Sequence, residues 1–193
     1  MDLHATVSDF FREAVTDAMR TRKVSAGEPT EFYLVNLLVE YTKASKVDEE
    51  PLALKMAEIA NLAPDARAKG LKEIGDTSLY ISGFFSDSLN SRRRLVDVDY
   101  YIAMGATAYG QLEGIISMTR GSATEFFRAV YRELATKFGT FVEVLHEVRK
   151  QTSLGSSSGN LVKLYEEWLE TGSEWLARRL RDSGLLLVKG ASN

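Results

Sequence analysis

The chain has 193 residues, a formal charge of −3, and 45% apolar and 26% charged residues, the balance of one ordinary globular domain. It has no cysteine, which excludes disulfides, thiolate metal sites and cysteine nucleophiles, and the small net charge argues against a polyanionic partner or a membrane surface. No window approaches the ~18 uninterrupted apolar residues of a membrane span. Met1–Val15 carries Asp2 and lacks a leading basic run, so no secretory signal is expected and the expected location is cytoplasmic.

Apolar spacing is helical almost throughout, and only three prolines interrupt it. Val7, Phe10, Phe11, Ala14, Val15 and Ala18 recur at three- and four-residue steps and predict a first amphipathic helix. Pro29 and Thr30 introduce a second, from about Glu31 to Thr42, apolar on several faces and therefore expected at the centre of the core. A third follows the acidic run Val47–Pro51 and ends near Leu62. Pro64 suits the first turn of a fourth, which reaches about Leu89, because the N–H it lacks has no helical partner there. Asp97 or Asp99 can cap a fifth helix running to about Met118. Ser122-Ala-Thr-Glu125 has capping-box spacing and starts the next, which Gly139-Thr140 should kink or divide before the His146 segment.

Residues 154–159 are Gly/Ser-rich and read as a linker. Beyond it, Leu161, Leu164, Tyr165, Trp168, Trp175, Leu176 and Leu180 form another amphipathic stripe that Gly184 should end. The expected organisation is a main bundle over 1–153, the linker, and a C-terminal helix and tail over 160–193 packing on it. Leu185–Val188 reads as an extended tail rather than a strand. Asp9-Phe-Phe-Arg resembles Glu125-Phe-Phe-Arg, a match too short to establish a repeat.

The fourth and fifth helices carry the least ordinary pattern. Gly75, Ser78, Ser82 and Ser86 fall on one face of the fourth; Ala103, Thr107, Gly110, Gly114 and Ser117 fall on one face of the fifth. Gly70, Gly75, Gly83, Gly105, Gly110 and Gly114 lie in these two helices, and each helical glycine costs about 1 kcal/mol against alanine. The simplest compensation is a close-packed antiparallel hairpin with the two small-residue faces together, which predicts that Gly110→Leu disrupts folding. A ligand or partner pocket between the helices is the alternative, lined by Tyr80, Phe84, Asp87, Arg93, Tyr100, Tyr101 and Tyr109, with a small apolar ligand as occupant. A homodimer seam is the third.

Candidate chemistry is sparse. Arg92-Arg93-Arg94 suits the end of one helix and ion pairs with Asp97 and Asp99, and no nucleic-acid motif accompanies it or Arg178, Arg179 and Arg181. Glu143-Val-Leu-His146 has the form used by helical di-metal sites, but its required second copy is missing and only one other histidine, His4, exists. Ser86-Asp87-Ser88 lacks a neighbouring base. Asp76 and Asp87 on one helix are about 16 Å apart along the axis, too far for paired carboxylate chemistry; Asp87 can approach Asp97 or Asp99 across the turn, where salt bridges with the arginines are a simpler use than a Mg²⁺ site. The sequence thus predicts an all-α, single-domain bundle of about seven helices with a close-packed central antiparallel hairpin, with no cofactor or metal. Its expected role is a non-enzymatic interaction or regulatory module binding a protein partner or itself as a homodimer. Nucleic acid and membrane are not expected partners.

Overall fold

The computed structural model describes residues 3–43, 51–85, 98–118 and 121–151. These residues form seven α-helices and no strand: α1 (Leu3–Arg22), α2 (Glu28–Lys43), α3 (Leu52–Ile59), α4 (Pro64–Phe84), α5 (Val98–Ser117), α6 (Ser122–Thr136) and α7 (Phe138–Gln151). The all-α bundle read from the apolar periodicity is the observed fold. The Gly/Ser linker, the C-terminal segment 160–193, Asp87 and Arg92–Arg94 lie outside the described residues.

The helix ends follow from local chemistry. α1 closes with Lys23 in the left-handed region (φ 55°), where Val24 N–H donates to Met19 O at 2.9 Å and Lys23 N–H to Arg20 O at 3.2 Å. This pattern satisfies terminal carbonyls that have no helical partner. α2 is capped from a distance: the Glu133 carboxylate accepts from Gly27 N–H (3.1 Å) and Thr30 Oγ (2.6 Å) at its first turn, where the helix dipole also favours a negative charge. Pro64 occupies the first turn of α4 as expected. The capping-box reading at Ser122 is corrected: Gly121 is the N-cap, at a φ of 156° that L residues rarely adopt, and no side chain caps the helix. α6 and α7 divide at Lys137 rather than at Gly139-Thr140. There the chain turns so that Phe138, nearly fully buried, enters the core.

The central element is α4, not α2. From Gly70 to Phe84 only Lys72, Glu73 and Ile81 escape burial, while α2 leaves Phe32 55% exposed. α4 achieves this by giving up side-chain volume. A carbon added at Gly70 would lie 2.7 Å from Ile59 Cγ2, one at Gly83 would lie 2.5 Å from Leu145 Cβ, and one at Gly75 would enter the Tyr109 ring. Three different helices therefore approach α4 at its glycines, and the cost of each glycine is returned as contact there.

α4 and α5 form the antiparallel hairpin. Ser78 stands against Gly105, Gly75 against Tyr109, and Arg67 Nη2 donates to Gln111 Oε1 at 2.9 Å, so partners rise along α5 as they fall along α4. The surfaces in contact differ from those expected. α4 does present Gly75, Ser78 and Ser82 inward, but α5 meets it with Gly105, Ala108, Tyr109 and Leu112. Ala103, Thr107, Gly110 and Ser117 are exposed and Gly114 is half-buried. The small-residue face of α5 points away from α4 because a single large ring, Tyr109, fills the space that Gly75 leaves.

Candidate functional site

The most polar point of the core is Asp76, on the buried face of α4. Tyr33 of α2 donates its hydroxyl to Asp76 Oδ1 at 2.5 Å, and Tyr109 of α5 donates to the same oxygen at 2.7 Å. Lys72, one turn earlier, donates from Nζ to Oδ2 at 2.6 Å. Both carboxylate oxygens are engaged, which a buried charge requires if it is not to destabilise the fold. The ammonium also sits 5.5 Å from the centre of the Tyr33 ring, which it meets face-on as a cation–π contact.

The rings around this group form a layer. Tyr109 stacks on Tyr131 with centroids 5.8 Å apart, and Tyr33 meets both edge-on at 6.3 and 5.6 Å. Burial first, and then the Asp76 charge, push the Tyr33 and Tyr109 phenols well above the ordinary tyrosine value. They stay protonated near neutral pH and so can donate to Asp76. Burial alone would lower the Lys72 ammonium, but the Asp76 charge and hydrogen bond outweigh it and raise it. Lys72 is thus held as a cation, unsuited to act as a base or amine nucleophile near neutral pH.

The residues named from sequence as a pocket fall into separate groups. Tyr80 stacks on Phe84 (5.1 Å) and on Tyr41 of α2 (4.3 Å), and the Tyr41 hydroxyl pairs with Thr77 Oγ1 at 2.8 Å. Tyr100 and Tyr101 meet edge-on at the start of α5, where the Tyr100 hydroxyl accepts from Ala53 N–H at 2.9 Å and so ties α3 to α5. Tyr109 belongs to the Asp76 layer. Asp87 and Arg93 lie outside the described residues.

Tyr33, Lys72 and Tyr131 were not among the sequence candidates for a site, and Asp76 was weighed only as half of a carboxylate pair with Asp87 and set aside. A signal for Asp76 was present: it follows Gly75 inside the run Leu71, Ile74, Ser78, Leu79, where only a paired carboxylate is tolerated. Glu143 is 66% exposed and lies 3.6 Å from Arg22, and among the described residues no group of three or more His, Asp or Glu side chains could hold a metal ion.

The surface is distinctive where α5 passes into α6. Met118 is 87% exposed, and Phe126 and Phe127 are 50% and 48% exposed with their rings edge-on at 5.5 Å. On α6 these phenylalanines lie one turn before Val130 and Tyr131, which are core together with Leu134. One apolar stripe therefore begins in solvent and ends in the interior. The related Phe10-Phe11 pair on α1 differs, since Phe11 is buried and Phe10 partly so. Beside the exposed pair, Glu113 accepts from Arg128 and Arg132 at 2.8 Å each, and those hydrogen bonds hold its carboxyl below the ordinary value.

Comparison with known proteins finds no match: no family model fits the chain, and no curated protein or solved structure is similar to it. Among the described residues no helix is long and apolar enough to cross a membrane.

Proposed function

We propose that this chain is a non-enzymatic helical interaction module that self-associates through exposed apolar side chains, Phe126 and Phe127 on α6 and Met118 before it. The observation that carries the reading is the continuation of the α6 core stripe into solvent at two half-exposed phenylalanines. Single exposed apolar side chains are ordinary, but a contiguous apolar group on a helix face marks a binding surface. A second copy suits it because the neighbouring charges Glu113, Glu125, Arg128 and Arg132 sum to zero and pair among themselves. That leaves no field favouring a strongly acidic or basic partner. The saturated state of Asp76 supports a structural use of this buried charge: its oxygens are occupied in joining α2, α4 and α5.

Multi-angle light scattering on the purified chain tests the reading. The native chain should be dimeric at high micromolar concentration. Phe126→Ser/Phe127→Ser should be monomeric with an unchanged circular dichroism spectrum, because neither side chain is core. A monomeric native chain at that concentration overturns the proposal.

A further inference from the structure

Sulfur chemistry in this chain belongs to methionine alone: there is no cysteine, and the five methionines are Met1, Met19, Met56, Met104 and Met118. Among the described residues their surroundings differ widely. Met19 is 3% exposed in the core, Met56 and Met104 are partly buried, and Met118 is 87% exposed. No other large apolar side chain among the described residues is as open to solvent. A thioether has no proton to lose, so exposure rather than ionisation selects the methionine that an oxidant reaches.

The backbone holds Met118 at the end of α5, where its N–H donates to Ile115 O at 3.2 Å. α5 and α6 run antiparallel: Gly110 faces Ala135, and Glu113, three residues on, accepts from Arg132 and Arg128. Continuing that pairing brings the end of α5 level with the beginning of α6, and Met118 level with Phe126 and Phe127. The most exposed sulfur and the two half-exposed rings therefore share one end of this helix pair. A flexible thioether suits a surface that packs on rings, because sulfur–aromatic contact adds to apolar burial. The fold itself buries almost none of this side chain, so its chemistry can change without disturbing the core.

We propose that Met118 is an oxidation site whose sulfoxide switches self-association off. The switch rests on the self-association proposed above. In the step, the sulfur lone pair attacks one oxygen of hydrogen peroxide, the S–O bond forms as the O–O bond breaks, and the second oxygen leaves as water with both protons. The sulfur loses two electrons and the peroxide gains them. The product is polar, and covering it with an apolar surface leaves its oxygen without the water it had bonded. Association covers the sulfur, so the oxidant acts on the free copy and then prevents it from reassociating. Methionine sulfoxide reductases reverse the change.

Peptide mapping by mass spectrometry and light scattering on the same samples of full chain, treated with dilute hydrogen peroxide, test the switch. Met118 should oxidise several-fold faster than Met19, Met56 and Met104, and faster at low than at high micromolar protein. Oxidation at Met118 should raise the dimer dissociation constant at least about tenfold. The circular dichroism spectrum should not change, and reductases A and B should restore the dimer. The effect should persist in Met56→Leu/Met104→Leu and vanish in Met118→Leu, each compared with the same variant before oxidation. A dimer that survives complete oxidation of Met118 overturns the switch and leaves self-association standing, as does dissociation that follows Met56 or Met104. A native chain that is monomeric before any oxidant is added overturns both.

Discussion

Alanine at Gly105 and alanine at Gly110 should change stability in opposite directions, although both lie in the interior of α5. Each substitution gains helix propensity worth about 1 kcal/mol. At Gly110 little opposes it: the methyl finds Ala135 Cβ at 4.0 Å, an ordinary contact. At Gly105 the methyl would stand 2.7 Å from Ser78 Cβ and overlap the Phe138 ring. Ser78 is wholly buried and Phe138 2% exposed, so neither has free space to move into. Overpacking of this kind costs about 1–3 kcal/mol, and with two immobile neighbours the upper half of that range applies. Gly105→Ala should therefore lose about 1–2 kcal/mol net while Gly110→Ala gains up to about 1 kcal/mol. The gap of about 2–3 kcal/mol is easily measured in urea, where the midpoint should move with an unchanged slope. If Gly105→Ala is as stable as Gly110→Ala, the close approach of α5 to Ser78 and Phe138 is wrong.

The Asp76 layer yields two further expectations. Tyr109→Phe removes one donor from a buried carboxylate and should cost about 1.5–3 kcal/mol in the same urea assay. Tyr33→Phe should cost less, because Tyr33 is partly exposed whereas Tyr109 is fully buried; an equal or larger cost at Tyr33 would argue against the geometry. Stability should also fall in alkali. Tyr80 is pushed up to about 12 by burial, and burial with the Asp76 charge raises Tyr109 well above the ordinary value of 10.0. A raised folded value means the contribution is complete below pH 10 and lost as pH rises above it, since only the unfolded chain can ionise there. At about pH 11 each of these two tyrosines should cost about 1.4 kcal/mol, read by repeating the urea titration at rising pH. A flat profile between about pH 10 and 11 would show that these phenols are reached by solvent.

Much of the fold was legible in the sequence because helical periodicity is a local property. The stripes on α1 and α6, Pro64 at the start of α4 and the boundary near Ser122 all follow from spacing and backbone chemistry within a few residues. The site was less legible. Asp76 could be noted as a carboxylate on α4, but its donors come from positions 33 and 109, and no local rule joins them. The pocket residues shared two helices in sequence, yet Tyr80 turned toward Tyr41 of α2 and Tyr109 toward the Asp76 carboxylate of α4.

Composition and spacing alone determined that this chain is helical, lacks thiol chemistry and carries six glycines in two adjacent helices. What the glycines are for was decided only by tertiary packing. A glycine marks where a neighbour can come close, but its own sequence says nothing of which neighbour arrives. At Gly75 it is the ring of Tyr109, at Gly83 Leu145 and at Gly105 Phe138 with Ser78, while at Gly110 and Gly114 none of the described residues comes closer than Ala135 Cβ at 4.0 Å. The same residue type thus serves a dense core on one face of α5 and lies outside that core on the other, because burial belongs to the assembled bundle rather than to the helix.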